Sequence, residues 1–361
     1  MKQYAGLDVS LKEVTVCVID EAGMTVARGR VPTDPAAIVG FLAEKTKGLA
    51  QVVHESGSLS TWLQRALEKR GLPVACVDAR QAHKALSARL NKSDSADAAG
   101  LAQLARTGWY TEVHVRSEAA DRLRTLIGAR ERLIRLRKDL EGHVRGVLKT
   151  FGIRLEPVTS ARHRASFREQ LAAAGERDPV LGVLAESFAP AHETLCIVAA
   201  ALEDELRAIG KESPLARRLM TVPGVGPLVA LGFIATIDDA TRFRRASDVG
   251  AFLGLTPRRY QSGETDYSGR ISKCGSTAMR SLLFEATACL IRQVKRFSPL
   301  KSWAVRLAAR KGFKKAAVAT ARKIALRRAF AARPGPRSRL SPHCIWIDGT
   351  EFEWTKKEAA A

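Results

Sequence analysis

The stretch Tyr4-Ala5-Gly6-Leu7-Asp8 has the pattern of a short β-strand that ends on a carboxylate. The next segment, Val14 to Ile19, alternates β-branched residues and predicts a second strand. A turn at Glu21-Ala22-Gly23 then leads into a third predicted strand, Met24 to Val31. This part of the chain is therefore predicted to be three strands joined by short turns.

Helical and strand patterns alternate after these strands. Helices are predicted over Pro35 to Lys47, Leu59 to Arg70, Arg80 to Leu90 and Ser93 to Arg106, and strands over Ala50 to His54 and Val74 to Val77. The order β-β-β-α-β-α-β-α is of the ribonuclease-H type, although a different mixed sheet would satisfy the same pattern. We predict a ribonuclease-H-like α/β domain over residues 1–115.

Residues 116–210 carry helical patterns only. One seam repeats leucine, valine and phenylalanine from Leu126 to Phe151 but includes Arg130 and Arg137, so it is an imperfect heptad. A second helix is predicted over Ala189 to Ile209, with an irregular basic stretch from Gly152 to Asp178 between the two. We predict an antiparallel helical (coiled-coil) arm, either a spacer for self-association or an ordinary helical core.

Residues 211–330 predict a compact all-α domain. The run from Met220 to Pro227 joins two apolar helical patterns through a Pro-Gly-Val-Gly turn, which suggests a helix-hairpin-helix-like element. Gly224 and Gly226 would then let the backbone approach a phosphate; a plain interhelical turn is the alternative. Residues 331–361 are expected to be a loosely packed tail.

The charge of the chain favours a polyanionic partner. The formal net charge is +22, and the segment from Arg258 to Arg328 alone holds 18 Lys and Arg against three acidic residues. A solvated surface usually mixes charge signs, so a block of one sign predicts phosphate contacts. Nucleic acid is the expected partner; a membrane is not, because no run of 18 apolar residues occurs.

The cysteine pattern points to a reducing compartment. Six cysteines occur without any C-x-x-C pair, and the seven histidines lack ligand spacing, so neither disulfides nor a zinc site is expected. The first residues lead straight into a strand pattern, so no signal peptide is expected. We predict a cytoplasmic protein.

Four acidic residues form a candidate metal site. Asp8 ends the first strand and Glu55 the fourth, and these strands are adjacent and parallel in a ribonuclease-H-like sheet; Asp94 and Asp97 share one helix face. Four carboxylates in one pocket require cations, and Mg²⁺ suits an oxygen-only donor set. Alternatively, Asp94 caps its helix, Asp97 is a surface acid and Asp8 belongs to a turn.

Several runs together resemble the DEDD transposases, insertion-sequence enzymes related to the Piv DNA invertase. They are Ala5-Gly6-Leu7-Asp8-Val9-Ser10, Val53-His54-Glu55-Ser56-Gly57, Asn91-Lys92-Ser93-Asp94-Ser95-Ala96-Asp97-Ala98, Val222-Pro223-Gly224-Val225-Gly226, the run from Leu253 to Gly263, and the run from Gly269 to Gly275. The resemblance covers residues 3–330 in the right order. One departure is Glu55-Ser56-Gly57, because many relatives carry an extra residue before this glycine.

The resemblance implies a RuvC-like N-terminal domain and a Tnp domain with an essential serine, which matches Ser262. It implies that Ser262 attacks a phosphodiester and forms a covalent protein–DNA link. It also implies a tetramer, and a structured bridge RNA that pairs with donor and target DNA. Locally, Arg258, Arg259, Arg270 and Lys273 are candidates for neutralising the reacting phosphate.

Three functions are compatible with these features of the sequence. The first is an insertion-sequence transposase or recombinase acting near the bacterial nucleoid. The second is a metal-dependent, structure-selective nuclease such as a RuvC-like junction resolvase, for which Ser262 would be dispensable. The third is a non-catalytic nucleic-acid-binding protein with a degenerate nuclease domain. The four carboxylates speak against the third function, and the block around Ser262 speaks against the second.

Overall fold

The computed structural model describes residues 1–86, 93–331, 344–347 and 350–353. The chain divides into two compact units, one ending at Arg116 and the other starting at Ser117. Across the described helices, no segment is both long and apolar enough to cross a membrane. The two units are described separately below.

The first unit is a mixed sheet with helices on both faces. Its elements are β1 Gln3–Val9, β2 Glu13–Ile19, β3 Thr25–Pro32, α1 Pro35–Lys45, β4 Leu49–Glu55, α2 Ser60–Glu68, β5 Val74–Val77, α3 Ala79–Leu86 and α4 Asp94–Thr107. The strands lie in the order β3-β2-β1-β4-β5. Strand β1 pairs antiparallel with β2 and parallel with β4, and β4 pairs parallel with β5. The predicted ribonuclease-H-type order is confirmed.

Two apolar layers cover the two faces of this sheet. On one face, Leu7 and Val52 pack with residues of α1 and α2, such as Leu63. On the other face, Val53 packs with Leu101 of α4. Alternate residues of β1 and β4 therefore belong to opposite layers, which is the expected period of two. Helix α4 begins with an acidic turn. Only strand residues on the α4 side of the sheet can therefore form a site together with that turn.

The second unit is mostly helical. Its elements are α5 Glu118–Thr150, α6 Ala161–Gly175, α7 Pro179–Glu212, α8 Pro214–Met220, α9 Pro227–Ile237, α10 Ala246–Phe252, β6 Pro257–Ser262, β7 Thr265–Ile271, α11 Thr277–Arg292, α12 Pro299–Lys311 and α13 Phe313–Ala331, with β8 Cys344–Ile347 and β9 Thr350–Glu353. One large hydrophobic core contains residues from each of the helices α7 through α13, and Leu126 of α5 packs against it. The all-α prediction for residues 211–330 was wrong in part, because β6 and β7 pair as a hairpin across the turn at Gly263. The rest of the predicted tail lies outside the described residues.

The two long helices α5 and α7 run antiparallel. Arg130 of α5 pairs with Glu203 of α7 at 2.9 Å, and Glu141, further along α5, lies 3.0 Å from His192, which is earlier in α7. Arg137 contacts the same Glu141 carboxylate at 3.1 Å. The two arginines that interrupt the predicted seam are thus paired. Removing Glu141 would leave the buried charge of Arg137 uncompensated.

The prediction for the segment between these helices was wrong in part. The stretch Gly152 to Asp178 contains α6, which Ser160 caps and which buries Phe167, Leu171 and Ala174. That i, i+4, i+7 spacing was a helical signal in the sequence. Helix α7 also begins ten residues before the predicted start, since Pro190 is accommodated inside it although proline normally disrupts a helix interior.

Candidate active site

The first two predicted carboxylates lie next to each other at one edge of the sheet. Strands β1 and β4 are parallel, with Leu7 opposite His54, so the next positions along them are Asp8 and Glu55. Neighbouring strands are about 4.8 Å apart. Both residues lie near the carboxyl ends of their strands.

Helix α4 lies on the same face of the sheet as these two carboxylates. A Cβ atom at Gly6 would be 2.1 Å from the carbonyl oxygen of Ala98, so only glycine lets α4 cross β1 at this point. Asp8 is two residues beyond Gly6 and shares its face. Glu55 is two residues beyond Val53, which packs against α4. Asp8 and Glu55 therefore both belong to the α4 side of the sheet.

The first turn of α4 carries the other two carboxylates. Ser93 caps the helix through a bond from the backbone N–H of Ala96, and Asp94 and Asp97 follow. Asp97 is half-buried, whereas Asp94 is exposed and pairs with Arg30 of β3 at 3.5 Å. Asp94 is thus drawn toward the β3 side of the sheet. The residues before Ser93 in this motif, Asn91 and Lys92, lie outside the described residues.

Arg30 belongs to the same row of the sheet as Asp8. In the antiparallel ladders, Asp8 is opposite Thr15, and Thr15 is opposite Arg30. Arg30 is therefore two strands from Asp8, about 10 Å away. An exposed pair of this kind contributes little to stability, so a stronger cationic partner can displace it.

The structure brings together Asp8 and Glu55 but not all four carboxylates. Within the described ranges, no group of three or more acidic, histidine or cysteine side chains is close enough to hold a metal ion. The predicted donor set suits a divalent cation, because all four candidate residues carry carboxylates, which hard cations prefer. Four such groups repel each other unless a cation is present, and the pairing of Asp94 with Arg30 is consistent with that repulsion.

A buried histidine supports the end of β4. His54 is fully buried, its Nδ1 lies 3.2 Å from the carbonyl oxygen of Glu55, and its Nε2 lies 3.2 Å from the side-chain oxygen of Gln64. Burial lowers the pKa of His54, which favours the neutral ring. From the sequence, His54 is predicted only as a strand residue. The available signal for a further role is its position as a polar residue at the end of an apolar run, directly before Glu55.

An open cleft of about 860 Å³ borders Glu55 in the first unit. The loop after β1, including Ser10 and Lys12, forms one wall, and the loop after β4, including Gly57, forms the other. The backbone N–H of Ser56 donates to the carbonyl of Val77, so the start of the loop after Glu55 is tied to β5. The cleft gives an extended ligand access to Glu55.

Ser262 lies at the tip of a β-hairpin in the second unit. Strands β6 and β7 pair with Ser262 opposite Thr265, and Gly263 between them has a φ of 55°. Such a φ suits glycine and the two-residue hairpin turns. The Ser262 side chain is exposed, so a large substrate can reach its hydroxyl.

The base of this hairpin is held by close backbone contacts. A Cβ atom at Gly254 would be 2.2 Å from the carbonyl oxygen of Cys274, and one at Gly275 would be 2.1 Å from that of Phe252. The guanidinium of Arg280 donates to the carbonyls of Cys274 and Gly275 at 2.6 and 3.2 Å. Arg280 was not singled out in the sequence, because its acceptors are backbone atoms from another segment.

The four basic residues predicted to bind phosphate differ in their surroundings. Arg259 makes a forked pair with Asp266 at 2.9 and 2.6 Å, and this hydrogen bonding lowers the pKa of Asp266. Arg258 donates to the carbonyl of Ser272 at 3.1 Å. Arg270 and Lys273 are exposed. Arg259 would have to exchange Asp266 for a phosphate, whereas Arg270 and Lys273 already face solvent.

The two glycines of the predicted helix-hairpin-helix have different environments. Helix α8 and helix α9 flank the turn, as predicted. A Cβ atom at Gly224 would be 2.5 Å from the carbonyl of Ala286 in α11, so Gly224 serves helix packing. Gly226 is the N-cap of α9 and has open space around it. Of the two, Gly226 is therefore the one with room for a phosphate.

Family models match two parts of the chain. Residues 5–153 match a transposase model of the DEDD type from IS110, and residues 216–301 match a model described as the transposase IS116/IS110/IS902 family. The first match includes all four predicted carboxylates, and the second includes Ser262.

Curated relatives carry the similarity over most of the chain. The transposase for insertion sequence element IS1111A of Coxiella burnetii is 29% identical over 332 residues, which are 89% of this chain and 86% of that protein. A probable family 20 transposase of Pseudomonas aeruginosa is 30% identical over 257 residues, 68% of this chain and 75% of that protein. Among solved structures, RuvC of T. thermophilus in complex with a Holliday junction substrate covers 31% of this chain at 17% identity, with a TM-score of 0.26.

Proposed function

The chain belongs to the IS116/IS110/IS902 family of transposases, and we propose on this premise that it cuts and rejoins DNA strands with two chemical centres. The first centre is the carboxylate set Asp8, Glu55, Asp94 and Asp97. The second centre is Ser262. The observation that carries the proposal is the placement of Asp8 beside Glu55 on the α4 side of the sheet.

The carboxylates would hold a divalent cation, for which we propose Mg²⁺. When bound, such an ion supplies Lewis-acid stabilisation of charge on the reacting phosphate oxygens. Asp8 and Glu55 are already adjacent, and His54 fixes the backbone of Glu55. Asp94 would exchange Arg30 for the cation, because the exposed 3.5 Å pair is weak.

Ser262 would act as the nucleophile. Its Oγ forms a bond to phosphorus while the bond from phosphorus to the leaving deoxyribose oxygen breaks. The serine proton passes to a base or to water, and the leaving deoxyribose oxygen takes up a proton. Attack of a different strand's hydroxyl on the serine phosphodiester then releases Ser262 and rejoins the DNA. The exposed hairpin tip supports this role, since a covalent step needs an accessible hydroxyl.

The partners follow from charge and family. A net charge of +22 can neutralise many phosphates, enough for both DNA and a structured guide RNA. We propose that the RNA pairs with donor and target DNA, that four copies of the chain assemble, with the α5–α7 arm as the self-association element, and that the protein works at the bacterial nucleoid in the cytoplasm. We also propose that the domain boundaries fall after residues 115, 210 and 330. A phosphate would bind at Gly226, whereas Gly224 packs against α11.

A denaturing-gel assay tests the proposal. The wild-type protein is incubated with labelled DNA from the end of its element and with the adjoining transcript, either with Mg²⁺ or with a chelator. We expect a protein–DNA adduct that survives denaturation only when metal is present. Cleavage without an adduct would instead favour the metal-dependent nuclease, and binding without cleavage would favour the non-catalytic protein.

We expect the affinity for DNA to fall steeply with salt. If six to ten phosphates are neutralised, affinity falls roughly 10³- to 10⁵-fold between 50 and 200 mM salt. Replacing the exposed Arg270 by alanine should reduce the slope of log affinity against log salt by about one. Fluorescence anisotropy at several salt concentrations measures this slope.

The matched control for the salt measurement is Lys47→Ala, which removes an exposed charge from the first unit. Its slope should equal that of the wild type. A slope near zero for the wild-type protein would eliminate phosphate contact as the explanation of the basic block between Arg258 and Arg328.

A further inference from the structure

Two tyrosine rings are exposed on the hairpin that carries Ser262. Tyr260 of β6 and Tyr267 of β7 are cross-strand partners. Their ring centroids are 4.9 Å apart and their planes differ by 18°, so the rings are stacked. They remain 46% and 55% exposed. A pair of large rings in this state presents flat aromatic surface to water.

The fold accounts for only part of this arrangement. A cross-strand aromatic pair stabilises a hairpin, and these two rings cover each other's inner faces. The described apolar cores of the unit do not include either tyrosine. A Cβ atom at Gly269 would be 3.3 Å from Cε2 of Tyr260, so this glycine makes room for the ring of Tyr260 over β7. Hairpin packing does not explain why the outer ring faces of the pair are left exposed to solvent.

The pair shares a hairpin face with the nucleophile. Alternate residues of a strand point to the same face, so Tyr260 and Ser262 lie together, about 7 Å apart along β6. On β7, Tyr267 and Thr265 share that face. Because Tyr260 leans toward Gly269, on the side away from the tip, Tyr267 is the ring on the Ser262 side of the pair. The opposite face carries Arg259 and Asp266, which are paired with each other.

The charge around the pair fits a nucleic-acid ligand. The hairpin lies in the block from Arg258 to Arg328, which has 18 basic and three acidic residues. Exposed aromatic rings inside a basic surface are the usual platform for unpaired bases, since every base has a flat π-face and the backbone is anionic. We propose that the Tyr260–Tyr267 pair stacks on an unpaired nucleobase of the DNA strand whose phosphate Ser262 attacks.

This inference rests on the proposed function and adds to it a binding site that acts independently of base identity. Stacking would hold the attacked nucleotide out of the duplex, so that its phosphate is presented to the hairpin tip. Taking a base out of the stack costs energy, and a base–aromatic contact offsets part of that cost. Tyr260 and Tyr267 are positioning residues in this role, because they touch the substrate base and not the reacting atoms.

The test measures stacking without chemistry. The full chain carrying Ser262→Ala is titrated into an oligodeoxynucleotide with a single 2-aminopurine, whose fluorescence falls when it stacks. The probe is used as a single strand, as a duplex, and as the RNA single strand of the same sequence. We expect quenching with the DNA single strand and little quenching with the duplex. Because the nucleophile is absent in every sample, failure of serine chemistry cannot mimic failure of stacking.

Variants of the pair decide the role of the rings. With Tyr260→Thr and Tyr267→Thr, which keep a strand-compatible residue, quenching should be lost and single-strand affinity should fall roughly fivefold to 100-fold. Duplex affinity should change less than twofold, and Tyr→Phe at either position should retain quenching. The matched control is Gln261→Thr on the opposite hairpin face, which should behave as the parent.

Three results would overturn the inference: unchanged quenching in both threonine variants, an equal loss of duplex and single-strand affinity, or stronger quenching of the RNA probe than of the DNA probe. Circular dichroism and thermal melting of each variant identify any protein that has failed to fold. If a threonine variant fails to fold, the phenylalanine variants provide the test, because they are expected to retain quenching of 2-aminopurine.

Discussion

A protein with Ser262→Ala is expected to form no denaturation-resistant adduct with DNA and to exchange strands at least about 10³-fold more slowly than the wild type. Alanine removes the hydroxyl that would bond to phosphorus and leaves no substitute at that atom. Ser262 is exposed at the hairpin tip, so the change creates no cavity and should not alter thermal stability. Denaturing gels and single-turnover kinetics with element-end DNA measure both effects.

The matched control is Thr265→Ala, which removes a hydroxyl from the cross-strand partner of Ser262. This variant should keep the adduct and most of the rate. Should Ser262→Ala cleave DNA as fast as the wild type, the serine would have no chemical role. The protein would then be a metal nuclease of the junction-resolving kind, acting through its carboxylates alone.

Asp8→Asn and Glu55→Gln are expected to slow strand cleavage by at least about 10²- to 10³-fold while leaving DNA affinity within a few-fold of the wild type. Each change keeps the side-chain shape but removes the negative charge that a divalent cation needs. The basic residues from Arg258 to Arg328 lie in the other unit, so phosphate contacts should persist. Cleavage assays across a Mg²⁺ series, with binding measured in parallel, separate the two effects.

Glu21→Gln provides the control for charge. Glu21 is an exposed turn residue beyond Ile19, at the opposite end of the sheet from Asp8. Its loss should leave cleavage unchanged. Asp94→Asn adds a specific test of the Arg30 pair: it should slow cleavage if Asp94 leaves Arg30 for the cation, and do nothing if it stays. Loss of DNA binding by a folded Asp8→Asn protein would contradict the separation of binding from chemistry.

Local sequence was sufficient for the first unit because short turns separate its first three strands and helical patterns separate the later ones. The pairs Asp8 with Glu55 and Asp94 with Asp97 followed from strand order and helix spacing. The need for glycine at position 6 did not follow from local sequence, because it arises from close approach of the carbonyl of Ala98, more than 90 residues away. Likewise, the contact of Asp94 with Arg30 depends on how α4 packs on β1 and β2.

In the second unit, local rules were overridden more often. The second long helix was predicted to begin at Ala189, yet α7 begins at Pro179 and continues through Pro190. The arginines at 130 and 137 looked like defects in a heptad, but Glu203 and Glu141 neutralise them across and along the helices. Tyr260 stacks on Tyr267 because the two-residue turn sets a hairpin register in which the two residues are opposite each other. Composition alone does not reveal that register.

The sequence by itself determined the order of elements in the sheet, the carboxylates at the ends of β1 and β4, the basic block and the family, because these depend on neighbours in the chain or on summed charge. The tertiary structure alone decided which face those carboxylates share, which cation neutralises Asp94, and which rings accompany Ser262. Those features depend on contacts between residues far apart in the sequence, and such contacts exist only after helices and strands have packed.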